Sequence, residues 1–277
     1  MPEYHIIDSH LHAGVQNVAW GWENIRPLLL AAGIRGAGVI PPVEDIYDRH
    51  NYHFQDNSEW QACRHRAHQY LLDLKEAERK GGPACPPQGL AGRTSKCAPA
   101  PAMEIYPYFF VWNDFAWGDL GPEFVAVKWH RHGNEPEYHY TDPRCREFLK
   151  VVKDRGLPIL LEETLPNTVF FLEQLAPDLP VVIPHLGALS GGYAALKKAG
   201  VWDLPNVYAD SAVADFGEIE DYLSRRGSAR LIFGSDYPFS YPQIELDKIL
   251  RLKLPEPETR AILAGNFLRL CRLGEGS

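Results

Sequence analysis

The chain has 277 residues, 45% of them hydrophobic, and a formal net charge of −8. This acidic balance gives no electrostatic basis for binding nucleic acid or an anionic membrane, since both attract clusters of Lys and Arg. We therefore expect a small-molecule substrate, and neither nucleic acid nor a membrane as a partner. The sequence has no cationic leader, no apolar run of transmembrane length and no cysteine spacing typical of a disulfide framework, so we expect a cytoplasmic protein.

Apolar runs alternate with helical segments from the start of the chain. The first strand is an apolar run that begins at residue 4 and closes on His10 and His12. A helix over Glu23 to Ala32 follows it and ends at a glycine, and a second helix covers about Ser58 to Lys80. Residues 81–101 are rich in Gly, Pro and Ala without periodicity, which predicts an irregular insertion.

The second half of the chain continues the alternation. Asp142 and Pro143 are a typical helix start, Gly156 is a typical helix end, and the last helix covers about Glu256 to Arg272. The predicted strands after the first are Gly36 to Ile40, Ile105 to Trp112, Phe124 to Trp129, Pro158 to Glu162, Val181 to His185, Asn206 to Ala209 and Leu231 to Gly234. Continuously apolar strands separated by helices indicate a parallel sheet covered on both faces. Eight of them predict an α/β protein, a (β/α)8 TIM barrel, formed by one domain over residues 1–277.

Ionisable side chains stand where the predicted strands end. In a barrel of this kind the ends of several strands converge on one face, which carries the active site. Because side chains two apart on a strand face the same side, His10 and His12 would share a target such as a metal ion. The later strand-end residues are Lys128, His130, Glu162, Glu163, His185, Asp210 and Asp236.

Several of these positions lie in motifs that resemble the amidohydrolase superfamily, and more narrowly its amidohydrolase-related (amidohydrolase 2) branch of metal-dependent hydrolases and decarboxylases. The motifs span the chain from His10 to Leu270, and their order is more specific than any one of them. They are His10-Leu11-His12, Val125-Ala126-Val127-Lys128, Pro184-His185-Leu186-Gly187, Phe233-Gly234-Ser235-Asp236-Tyr237-Pro238 and Gly265-Asn266-Phe267.

The resemblance implies a divalent metal held by His10, His12 and Asp236, with residues of the fifth and sixth strands completing the site. Zinc is the expected metal and manganese the alternative, since imidazole and carboxylate ligands suit both. Asp236 would also act as the general base toward metal-activated water. His185 would be a ligand or would polarise a substrate carbonyl.

One position departs from the pattern of this branch, whose members usually have a histidine where the fifth strand ends. Here Glu162 takes that place. The glutamate is either a replacement ligand or the mark of a lineage that has lost its metal, because some superfamily lactonases work without one. We favour a retained metal with Glu162 as a ligand.

Lys128 has three interpretations: a carboxylated bridge between two metals, an uncarboxylated cation that acts on the substrate, or the partner of Glu162 in a buried ion pair. We favour the cation, beside a single metal. Candidate substrate-binding residues are His130 and Arg131, which would contact an anionic group, and the loop aromatics Trp22 and Tyr237, which would face a cyclic substrate.

These residues predict a metal-dependent hydrolase of a small amide, lactone or ester, with Asp236, His185 and Lys128 as catalytic residues. A non-oxidative decarboxylase of a small aromatic or unsaturated acid is the first alternative. A degenerate barrel, acting as a metal-free lactonase or binding protein, is the second. Relatives of this kind are often dimers, so a homodimer is an alternative to a monomer.

Overall fold

A computed structural model describes residues 3–15, 21–81 and 101–274, and in them eight parallel strands form one sheet. The strands are β1 (Ile7–His12), β2 (Gly36–Ile40), β3 (Glu104–Phe110), β4 (Ala126–His130), β5 (Ile159–Glu162), β6 (Val181–Ile183), β7 (Val207–Asp210) and β8 (Leu231–Ile232). Their order in the sheet is their order in the chain. Six of these strands are buried along their whole length, as expected for a sheet covered by helices.

Helices lie between the strands and after the last one. They are α1 (Trp22–Ala31), α2 (Ser58–Arg79), α3 (Pro143–Arg155), α4 (Leu165–Phe170), α5 (Tyr193–Lys198), α6 (Phe216–Arg226), α7 (Pro242–Arg251), α8 (Glu256–Arg260) and α9 (Asn266–Leu270). A π-helical turn joins α8 to α9, so the predicted last helix is one helical segment in three parts. No helix of the described residues is long and apolar enough to cross a membrane.

Local sequence signals set the bounds of α3. The Asp142 side chain accepts a hydrogen bond from the Arg144 amide, and Pro143 takes the first helical position. Gly156 ends the helix with φ of 64°, a left-handed conformation that costs glycine little. The predicted start and end of this helix are therefore confirmed.

The last strand region returns to the first, which closes the sheet into a barrel. The Ser9 amide donates to the Phe233 carbonyl at 3.0 Å, and the His12 amide donates to the Tyr237 carbonyl at 2.9 Å. An isolated parallel bridge joins Leu11 and Tyr237. The predicted (β/α)8 barrel is thus confirmed.

Three strands end earlier than predicted, and the third stops at Phe110 rather than Trp112. The sixth was expected to continue to His185, but it stops at Ile183 because Pro184 has no amide hydrogen to donate to the sheet. His185 and Leu186 then take left-handed conformations with φ of 58° and 48°. The eighth strand stops at Ile232 rather than Gly234.

The predicted insertion over residues 81–101 lies almost wholly outside the described residues. On its N-terminal side, α2 is fixed to the barrel by Glu78, whose side chain is fully buried. Glu78 accepts hydrogen bonds from the Trp22 indole at 2.9 Å and from the Arg26 guanidinium at 2.7 Å.

Candidate metal centre

His10 and His12 are held on β1 so that their Nε2 atoms point to the same carboxylate oxygen. His10 Nδ1 lies 2.8 Å from Asp210 Oδ2, and His12 Nδ1 lies 3.2 Å from the Pro41 carbonyl oxygen. Their Nε2 atoms lie 3.4 Å and 3.3 Å from Asp236 Oδ1. The alternation of the strand and the two acceptors behind the rings together fix this convergence.

Asp236 reaches the two histidines from the segment after β8. Its backbone has φ of 56°, which is uncommon for a residue other than glycine, and its amide donates to the His10 carbonyl oxygen at 2.6 Å. Burial acts to raise the pKa of Asp236, but the neighbouring imidazoles of His10, His12 and His185 bring it below its ordinary value. The group is therefore an anionic carboxylate at neutral pH.

His185 enters the same site from the loop after β6. Its amide donates to Asp210 Oδ1 at 2.8 Å, and its Nδ1 lies 2.9 Å from the Ala212 carbonyl oxygen. Its Nε2 lies 3.7 Å from Asp236 Oδ2 and 3.8 Å from Glu162 Oε2. Burial opposes a charge on His185, but the negative charge of the nearby Glu162, followed by the charges of Asp210 and Asp236, raises its pKa to about 9.

These residues fit a divalent metal. His10 Nε2 is buried and has no hydrogen-bond partner among the described residues, which is costly for a polar atom unless another group binds it. Burial holds the pKa of His10 well below its ordinary value, so this nitrogen keeps its lone pair. Ligand atoms of His10, His185 and Asp236 all lie within 4.8 Å of one another. The donor set of imidazole and carboxylate suits zinc and manganese alike.

Glu162 lies beside this group, and both of its oxygens have partners. Oε2 is 2.9 Å from Lys128 Nζ, and Oε1 is 2.7 Å from His132 Nε2. Burial acts to raise the pKa of Glu162, but Lys128 and then His130 hold it well below its usual range. Of the three interpretations of Lys128, the structure shows the buried ion pair: the lysine is fully buried, and its ammonium contacts the glutamate.

The site opens into a cavity of about 230 Å³ at the ends of the strands. Its polar lining includes His12, His130, Glu162, His185 and Asp236. Its apolar lining is formed by Val43, Ala188, Leu189, Val213 and Phe239. Arg49, Glu44 and His132 complete the lining.

The structure brings together most of the predicted site residues, but not all of them. The cavity lining, within the described residues, includes His130 and leaves out Lys128, Trp22, Arg131 and Tyr237. Trp22 packs inside the protein with its indole on Glu78. Arg131 points to the other side of β4 from His130, where its guanidinium lies 3.8 Å from Glu163. Tyr237 contributes a backbone carbonyl to the closure of the barrel.

Three contacts of the site had no clear signal in the sequence. Asp210 was visible as a strand-end carboxylate, but its contact with His10 joins residues 200 positions apart. Arg49 follows the second strand, and an ion pair with Glu135 holds its guanidinium at the cavity. Phe239 follows the Asp236 motif and packs edge-on to His12, with ring centroids 6.0 Å apart.

The comparison with known sequences identifies one family. Residues 116–273, more than half of the chain, match the family model described as amidohydrolase. No curated protein matches this sequence.

Solved structures with the same fold cover nearly the whole chain. The 5-carboxyvanillate decarboxylase of Sphingomonas paucimobilis has a TM-score of 0.70 and 11% identity, over 98% of this chain and 100% of that one. A protein of Pseudomonas putida provisionally identified as 2-pyrone-4,6-dicarboxylic acid hydrolase has a TM-score of 0.67 and 15% identity, over 99% of each chain. A dihydroxybenzoic acid decarboxylase of Polaromonas sp., solved with manganese and the inhibitor 2-nitroresorcinol, has a TM-score of 0.64 and 12% identity, over 98% of this chain and 97% of that one.

Proposed function

The chain belongs to the amidohydrolase family of enzymes, and from this premise we propose that it is a metal-dependent hydrolase of a small lactone, ester or amide. The observation that carries the proposal is the convergence of His10 Nε2 and His12 Nε2 on Asp236 Oδ1, at 3.4 Å and 3.3 Å. Each imidazole is oriented from behind by an acceptor, as metal-binding histidines in proteins usually are.

His10, His12 and Asp236 would hold the metal, and we favour zinc with manganese as the alternative. A divalent metal supplies Lewis-acid polarisation of a carbonyl and makes water acidic near neutral pH. Asp236 accepts a proton from the attacking water on its carboxylate and returns it to the leaving oxygen or nitrogen. Its low pKa leaves it ionised and ready to accept that proton.

His185 and the apolar lining residues would position the substrate. With Nδ1 fixed on the Ala212 carbonyl, His185 directs Nε2 into the cavity, where it can contact the carbonyl oxygen under attack. Val213 and Phe239 offer a surface for the body of a small cyclic or aromatic molecule. A cavity of about 230 Å³ limits the substrate to small molecules.

A second candidate is a metal-dependent, non-oxidative decarboxylase of a small aromatic acid. Two observations favour it: the apolar side chains that line the cavity together with Asp236 and the decarboxylases among the solved structures of the same fold. In that reaction Asp236 or His185 would deliver the proton that replaces the lost carboxylate. In either case Lys128, which lies outside the cavity lining among the described residues, would hold the Glu162 carboxylate in place through their ion pair.

Product analysis separates the two candidates. The metal-loaded enzyme is incubated in ¹⁸O-labelled water with a panel of lactones and esters and a second panel of hydroxylated benzoic acids. A hydrolase gives an acid product with one ¹⁸O atom, and Asp236→Asn lowers its kcat by at least about 100-fold. Carbon dioxide release from the second panel, without turnover of the first, would overturn the hydrolase proposal.

A further inference from the structure

A second pair of histidines with the spacing of the first lies at the end of the fourth strand. His130 is the last residue of β4 and His132 follows it after one residue, as His12 follows His10 on β1. The two ring centroids lie 4.7 Å apart. Both residues line the cavity beside the centre described above.

The Nε2 atoms of the second pair converge on one carboxylate oxygen. His132 Nε2 lies 2.7 Å from Glu162 Oε1, and His130 Nε2 lies 3.4 Å from the same atom. This arrangement repeats the convergence of His10 and His12 on Asp236 Oδ1. The pairing His130↔Glu162 between β4 and β5 sets it, because these two residues are direct neighbours in the sheet.

The Nδ1 atoms of the pair are oriented from behind as well. His130 Nδ1 lies 3.3 Å from the Tyr47 hydroxyl, and His132 Nδ1 lies 3.2 Å from Arg49 Nη2 and 3.4 Å from Glu135 Oε1. Glu135 is itself fixed by Tyr47 and by Arg49, both at 2.7 Å. Metal-binding histidines usually donate their second ring nitrogen to an acceptor, and Glu135 is the acceptor within reach of His132 Nδ1.

Charge in this region favours bound cations. Buried carboxylates that line the cavity or contact its histidines outnumber the permanent cations by two. The carboxylates are Glu135, Glu162, Asp210 and Asp236, and the cations are Arg49 and Lys128. Buried negative charge in excess is costly unless cations balance it.

We propose that His130, His132 and Glu162 form a second divalent-metal site in the same cavity, which takes Zn²⁺ or Mn²⁺. Two imidazole nitrogens and one carboxylate oxygen leave coordination positions open for water or for an anionic group of a substrate. His185 lies between the two sites. Its Nε2 is 3.8 Å from Glu162 Oε2 and 3.7 Å from Asp236 Oδ2. The second site does not depend on which bond the enzyme breaks.

Metal stoichiometry tests the site without reference to activity. The full-length protein is stripped with a chelator and dialysed against increasing Mn²⁺, and bound metal per chain is measured at each concentration. We expect wild type to approach two equivalents of Mn²⁺ and His132→Ala to approach one, because this variant loses the second site. His12→Ala should also approach one, because it loses the first site. The double variant His12→Ala/His132→Ala should bind none.

His132 is the residue to remove, and His139 in the same connection provides the control. The His132 side chain is 29% exposed, against 6% for His130, so it is the less disruptive of the two to remove, and a thermal melt checks folding. His139→Ala is the matched control, since His139 lies in the same connection but outside the cavity lining among the described residues. A single equivalent in wild type at saturation, or a second equivalent that survives His132→Ala, would overturn the proposal. So would metal-independent oxalate binding that His132→Ala abolishes, because the pair would then be an anion site.

Discussion

The contact between His10 and Asp210 gives a sharp test of the metal centre. Asp210 Oδ1 accepts hydrogen bonds from two backbone amides, those of His185 at 2.8 Å and Ala212 at 3.1 Å. In Asp210→Asn the amide oxygen must stay with these two donors, which places the amide NH₂ against His10 Nδ1. Two donors then face each other, and His10 can avoid the conflict only by moving its proton to Nε2.

A proton on His10 Nε2 occupies the lone pair that would bind the metal. Loss of a partner behind a metal-binding histidine usually lowers metal affinity 10- to 100-fold. Because the substitution forces the wrong tautomer, we expect the upper end, about 100-fold or roughly 3 kcal/mol.

Competition with a chromophoric chelator measures the metal dissociation constant of each variant. Asp215→Asn is the matched control, since Asp215 caps α6 by accepting from the Gly217 amide at 2.8 Å, and asparagine caps helices equally well. The control should bind metal as wild type does. A folded Asp210→Asn protein with wild-type affinity would refute the assignment of His10 Nε2 as a ligand.

Two further predictions concern buried groups. Lys128→Met leaves Glu162 buried without its ammonium partner, and we expect urea unfolding to show a loss of about 3 to 5 kcal/mol. The double variant with Glu162→Gln should recover part of this loss, and a loss under about 1 kcal/mol in the single variant would contradict the ion pair's role. Burial lowers the pKa of His68 from 6.5 to about 3. In this pH range His68 binds a proton in the unfolded chain but stays neutral in the folded protein. The free energy of unfolding should therefore fall by about 3 kcal/mol as pH drops from 6.5 to about 4. Denaturation at several pH values checks this, and His68→Gln, which keeps an acceptor for the Phe110 amide, should remove that part of the pH dependence. If the free energy of unfolding of His68→Gln fell at acid pH as much as that of wild type, the role of His68 would be contradicted.

The barrel was predictable because its signals are local. Apolar runs of strand length, helices ended by glycine and the Asp142-Pro143 start each depend on a few neighbouring residues. The strand ends were less predictable, as at Ile183, where a proline ends the hydrogen bonding of the strand before its apolar pattern ends.

The shared direction of His10 and His12 also follows from the sequence, since alternation along a strand places them on one side. The same rule places His130 in the cavity and Arg131 away from it, although the sequence alone suggested substrate contacts for both. For Trp22, loop position favoured the pocket, but the buried carboxylate of Glu78 attracts its indole.

What only the tertiary structure decided is which charged groups meet. Asp210 lies behind His10, Lys128 pairs with Glu162, and Glu162 faces His132, and each contact depends on the closure and register of the barrel. The sequence determined which strands end in ionisable residues, because each of these residues directly follows an apolar run. The two residues of each contact are 30 to 200 positions apart in the sequence, so only the packed sheet brings them within hydrogen-bond distance.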